Sequence, residues 1–129
     1  MERVLGRFGP QLYALMRIVV GLLFACHGAQ KLFGVLGVNQ HVAFVSKLGA
    51  AGVIEFVGGL FVAFGFLTGT AAFVASGEMA YAYFTVHMPR GGLPIQNGGE
   101  LAVLYSFLYL YISTRGAGIW GLDKGGSKR

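Results

Sequence analysis

Cysteine is almost missing from this chain of 129 residues: Cys26 stands alone, so no intramolecular disulfide can form and thiols say nothing of the redox compartment. Charged residues are scarce too, at 12% against 55% hydrophobic, which excludes an ordinary water-soluble domain of this length. There are only three prolines, and the apolar runs are too long for a disordered linker. No Walker loop, dinucleotide fingerprint, Gly-x-Ser-x-Gly elbow or Cys-x-x-Cys pair occurs, so chemistry with soluble nucleotide cofactors has no support. The Glu-x-x-His pairs of di-iron bundles are missing as well. Haem or metal is therefore not expected, although His and Glu are the residue types such sites use.

What the chain does have is glycine, 22 residues scattered inside apolar runs, where they suit close approach of helices in lipid. Four apolar stretches, at about 12–33, 50–67, 70–86 and 98–113, come near the ~20 residues that cross ~30 Å of hydrocarbon. The expected fold is all-α: an integral membrane four-helix bundle in a single domain over 1–129, with a basic C-terminal tail at 114–129. Residues 34–49 read as a loop with a short interfacial helix around 41–48. Pro89, Gly91, Gly92 and Pro94 break the chain before the fourth span. That span is short and rich in tyrosine, with Tyr105, Tyr109 and Tyr111, so its ends are expected in the interfacial zone.

The net charge of +5 does not indicate nucleic acid, because no basic face with interleaved aromatics exists. Arg3, Arg7, Arg115, Lys124, Lys128 and Arg129 would lie on one side of the membrane, with Lys47 and Arg90 on the other. The positive-inside rule then places both termini in the cytoplasm of a multi-pass inner-membrane protein.

Ionisable residues inside such spans are costly unless paired or hydrated. Arg17 and Glu78 lie at matching depths, which makes them the expected structural ion pair; proton or electron transfer is the alternative role. His27, Lys31, Glu55 and Glu100 collect towards the extracytoplasmic half as a candidate catalytic pocket, with His87, Tyr81 and Asn97 as substrate-binding candidates. On a helical wheel Arg17, Gly21, Phe24, Gly28 and Lys31 share one stripe; Glu55 shares a face with Gly58, Gly59 and Val62, and Glu78 with Ala71, Val74, Ala75 and Ala82. His87 lies about half a turn around from Glu78 and is assigned to a fraying helix end facing an outer loop.

These residues resemble a known family. The run RIVVGLLFACHGAQKLFG, from Arg17 through His27 and Lys31 to Gly34, is similar to the first-helix signature of the DoxX family of small bacterial and archaeal membrane proteins. EFVGGL from Glu55, the GFLTG turn from Gly65, NGGE ending at Glu100, and the tail GAGIWGLD ending at Asp123 resemble it in order and spacing. Gly69 and Thr70 stand where that pattern has an Arg, and Ala117 and Gly121 where it has Pro and Ser. The resemblance implies a four-helix inner-membrane protein of a kind often labelled an oxidoreductase, the family name deriving from the small subunit of a thiosulfate to quinone oxidoreductase.

The leading expectation is thus a subunit that handles a quinone or small redox substrate, with Lys31 and His27 holding it and Glu55 and Glu100 relaying protons. The alternatives are a non-catalytic scaffold that docks a soluble redox enzyme through the basic tail, and a small transporter subunit. The lipid bilayer is the expected environment, a soluble redox enzyme and further copies of the chain the expected partners.

Overall fold

A computed structural model describes residues 1–37 and 46–124. The interfacial helix expected at 41–48 falls mostly outside them, as do Lys128 and Arg129. Among the described residues all regular structure is helical, with no strand. Four longer helices dominate: α1 Gly9–Phe33, α2 Lys47–Phe64, α3 Thr68–Ala82 and α4 Glu100–Arg115. Two stretches, Glu2–Phe33 and Lys47–Phe64, are long and apolar enough to cross a membrane. With 15 and 16 residues, α3 and α4 are shorter, reaching about 23 Å each at ~1.5 Å per residue. α3 is extended by a π-helical turn, Tyr83–His87, and a 3-10 turn, Met88–Arg90.

Local signals explain the boundaries. Ser46 Oγ accepts the Gly49 amide, capping α2 at its start. α2 closes on Gly65, whose φ of 70° only glycine adopts freely. There the Phe66 amide donates to Phe61 O and the Gly65 amide to Val62 O. The Phe61 and Phe66 rings meet edge-on at 5.1 Å, supplying the apolar contact that goes with this helix ending.

Packing divides the helices into two intimate pairs, α1 with α2 and α3 with α4, joined chiefly where α2 meets α3. The first pair is in backbone contact. A Cβ placed on Gly21 would lie 2.5 Å from Ala63 N, on Gly59 2.5 Å from Ala25 N, and on Gly28 2.2 Å from Phe56 N. Gly21 with Ala25 and Gly59 with Ala63 are thus small residues four apart on facing helices, which lets the backbones touch. Gly58, expected on this face, has open space around it, and Val74, expected inside, is 46% exposed.

The second pair closes over Ala71, Ala72, Ala75 and Ala102, and Ser76 and Ser106 each donate to the other's backbone carbonyl. Between the pairs, Phe24 packs on Tyr105 and Tyr109 at 5.2 and 4.8 Å. These two tyrosines are core residues: they stack on each other, and the Tyr109 hydroxyl donates to Val20 O at 3.1 Å. A buried ring with its hydroxyl satisfied fills space that Leu fills elsewhere. Large apolar side chains such as Leu15, Leu22, Phe73 and Phe107 point outward instead.

Tyr13 Oη donates to Gly116 O at 2.7 Å, so the start of α1 meets the end of α4. The Leu122 and Asp123 amides donate to Phe64 O and Gly65 O, which brings the α2–α3 turn to the same end. The opposite end holds the last turn of α1, the first turn of α2, the π-helical turn and the start of α4.

Candidate functional site

Arg17 is completely buried and does not pair with Glu78. Its guanidinium donates instead to four carbonyls: Nη1 to Val62 O and Ala63 O at 2.7 and 2.8 Å, Nη2 to Ile119 O and Trp120 O at 3.3 and 3.0 Å. The expected ion pair is therefore corrected. The reason is geometric: Val62 and Ala63 lie in the last turn of α2, where helix carbonyls and the dipole's negative end draw a cation. The planar guanidinium fork spans them and the tail together. No residue-type signal marks backbone carbonyls, which is why depth matching selected the wrong partner.

At the other end the side chains converge on a cavity of about 1050 Å³. All four helices line it, mostly with apolar groups, and the polar side chains on its wall include His27, Lys31, Glu55, Glu78, Tyr81, His87 and Tyr105. Lys31 and Glu55 form an ion pair across α1 and α2, with the Glu55 side chain 1% exposed. A carboxylate so deeply buried requires this cation. Glu78 lines the same cavity from α3, and its buried Oε1 has no hydrogen-bond partner. His27 lies edge-on to the Tyr105 ring at 6.1 Å.

His87 lines the cavity too, stacked on Tyr83, with Nδ1 3.3 Å from Asn97 O. A regular helix would place it opposite Glu78, but the π-helical turn carries more residues per turn and rotates the chain back. Pro89, which cannot donate to the residue 85 carbonyl, and Thr85 Oγ1, which donates to Tyr81 O, accompany the irregularity.

Two candidates lie elsewhere. Glu100 is exposed in the first turn of α4 and is not on the cavity wall, because a carboxylate there suits the positive helix end and solvent. Asn97 is buried but fully engaged: its amide donates to Tyr83 Oη and Gly91 O, and its Oδ1 accepts the Gly99 amide. It shapes the link before α4 and does not reach the cavity. Among the described residues no three His, Cys, Asp or Glu side chains are gathered to hold a metal ion.

A second polar centre, unforeseen from sequence, sits at the terminal end. The Asp123 carboxylate accepts the Leu67 and Thr68 amides at 2.8 and 2.9 Å. Burial pushes this carboxyl up, but the hydrogen bonds from Thr68 and Leu67 and the charge of Arg17 outweigh it and hold it below the ordinary aspartate value.

No solved structure matches the chain closely. A Haemophilus influenzae protein, described only as an uncharacterized protein, is 44% identical over 126 residues, covering 92% of this chain and 93% of its own length. The DoxX family's sequence model matches residues 12–88, which include most of α1 and all of α2, α3 and the π-helical turn that carry the cavity's charged groups. The chain belongs to the DoxX family.

Proposed function

We propose that this protein is a membrane oxidoreductase subunit that binds a quinone or similar small redox substrate in the cavity between its helix pairs. In this reading it crosses the inner membrane four times as a bundle, with both termini in the cytoplasm and the cavity in the extracytoplasmic half. The observation that carries the reading is an apolar cavity of about 1050 Å³ with the Lys31–Glu55 pair and Glu78 on its wall. Ligand pockets for small organic molecules have that size and that balance of many apolar and few polar groups. Intramembrane charges brought to one cavity exceed what helix registry requires.

Reduction of a quinone consumes two electrons and two protons. Two thiols or sulfur oxyanions, joined through a new S–S bond on oxidation, would supply the electrons, directly or through a soluble redox enzyme. The carboxyl groups on the cavity wall would deliver the protons. Residues 116–123 favour this reading over a docking role for the tail, because their backbone is turned inward onto Tyr13, Arg17 and the α2–α3 turn.

Mass spectrometry of small molecules retained after mild detergent purification tests the proposal. The parent protein should carry quinone, and Glu55→Gln, alone or with Lys31→Gln, leaves no buried carboxylate unpaired there and should lose it while still assembling. Well-assembled variants with unaltered quinone content would reject the cavity as the site.

A further inference from the structure

His87 enters the cavity wall from a frame that stands behind it. The π-helical turn carries it there, its ring stacks on Tyr83 at 6.4 Å, and Nδ1 lies 3.3 Å from Asn97 O. Neither Tyr83 nor Asn97 is on the wall. Asn97 is 3% exposed, and its amide is held by Tyr83 Oη and Gly91 O on one side and by the Gly99 amide on the other. Gly99 in turn gives the Tyr83 ring its space, because a Cβ there would lie 2.7 Å from that ring. A π-helical turn is rare and collects at functional sites, and here three neighbours fix the imidazole that it delivers.

A backbone carbonyl can only accept, so Nδ1 carries the proton of this hydrogen bond, and a neutral His87 keeps its lone pair on Nε2. With the Nδ1 edge turned to Asn97 and one ring face covered by Tyr83, the edge left to the cavity is the one with Nε2. We propose that His87 Nε2 is a hydrogen-bond acceptor for a hydroxyl of the ligand. The site then takes a quinone-type ring in its dihydroxy, reduced form in preference to the oxidised one. The ligand class rests on the quinone reading, but the acceptor does not.

The Lys31 ammonium, on the other helix pair, has three N–H donors and directs one to Glu55. Both forms of a quinone ring have oxygens that accept from it, so Lys31 does not tell them apart. At Nε2 the forms differ: a hydroxyl donates, whereas a carbonyl oxygen sets its lone pairs against that of the ring nitrogen. His27 meets the Tyr105 ring edge-on, a contact that fixes no tautomer. One ordinary hydrogen bond corresponds to about tenfold in affinity. Holding the reduced ring that much more tightly raises the potential of the bound two-electron couple by about 30 mV, which draws the electrons of the sulfur donor onto the quinone.

Two measurements on the full chain in lipid nanodiscs test this. Nitrogen NMR spectra of protein labelled at its histidines, taken at a pH where the ring is seen to be neutral, should show His87 with Nδ1 protonated and Nε2 bare. Loss of the signals in His87→Phe or His87→Gln assigns them, and the opposite tautomer overturns the acceptor. At the same pH, under argon, the parent should bind ubiquinol-1 about tenfold more tightly than ubiquinone-1. His87→Phe, which keeps an aromatic ring against Tyr83, should bind the two alike. A merely structural role would weaken both forms equally and leave their ratio unchanged. A parent without the preference, or a preference that survives His87→Phe, overturns the proposal. The dimethyl ether of ubiquinol-1 has the same ring without hydroxyl donors and should bind the parent no better than ubiquinone-1. Its binding as tightly as ubiquinol-1 overturns the proposal without recourse to a variant, should His87→Phe fail to assemble. If the parent binds neither form, the ligand class falls with the quinone reading, while the nitrogen spectra still decide the acceptor.

Discussion

Asp123 caps the helix that begins at Thr68, from 55 residues away in sequence. Leu67, the residue in the capping position, has an apolar side chain and a φ of 47°, so the orphan amides at the start of α3 have no local acceptor. The tail supplies one. The same stretch of tail gives its carbonyls to Arg17, so one segment ties the ends of α1, α2 and α3 together.

Asp123→Ala should destabilise the protein by about 1 kcal/mol, the usual worth of a helix cap, as read from thermal unfolding in detergent at neutral pH. The carboxyl of Asp123 lies below its ordinary value of 3.8 when folded. Its contribution is therefore fully present above that value and is lost as pH falls through the lower folded one. The variant and the parent should converge in stability only in that acidic window, and equal melting at neutral pH would refute the cap.

Arg17→Gln should cost several kcal/mol, because two buried and two partly buried carbonyls lose a charged donor, at about 1–3 kcal/mol for each buried one. Adding Glu78→Gln should not rescue it. The two losses should add, within about 0.5 kcal/mol, as for residues without a shared partner. Recovery in the double variant would restore the ion pair and contradict the carbonyl cage.

Glycines within the helices should separate by what faces them. Gly28→Ala puts a Cβ 2.2 Å from Phe56 N, so α1 and α2 must move apart, at about 1–3 kcal/mol or more. Gly58→Ala and Gly77→Ala meet nothing within 4 Å and should be neutral or stabilising by up to about 1 kcal/mol. Unfolding midpoints of the three variants check the order, and a tolerant Gly28 would mean the helices are not in backbone contact.

The proposed topology has a direct readout. With Cys26 replaced by Ala, cysteines at the exposed positions Glu2 and Gln96 should label from opposite faces of the membrane, Glu2→Cys only from the cytoplasm. Labelling of both from outside would reject the four-span arrangement.

The helices and the inward turn of the α1 glycines were legible in the residues themselves. Gly21, Phe24 and Gly28 recur at helical spacing inside an apolar run, and a bilayer leaves backbone no alternative to intrahelical hydrogen bonds. The gathering of His27, Lys31 and Glu55 towards one end also followed from rise per residue alone.

The sequence by itself therefore determined the helical segments, the small-residue face of α1 and the depth of each ionisable group along its helix, because these depend on local spacing and on side-chain chemistry. The tertiary structure decided which groups at a given depth meet. Arg17 chose backbone carbonyls over Glu78, Glu78 reached the cavity wall that Glu55 lines, and a π-helical turn brought His87 round to the same cavity. Azimuth between helices is set by how closely their backbones pack and by local changes in residues per turn. Backbone acceptors such as Val62 O or Trp120 O exist at every position, so nothing in the residue types marks the ones that folding will use.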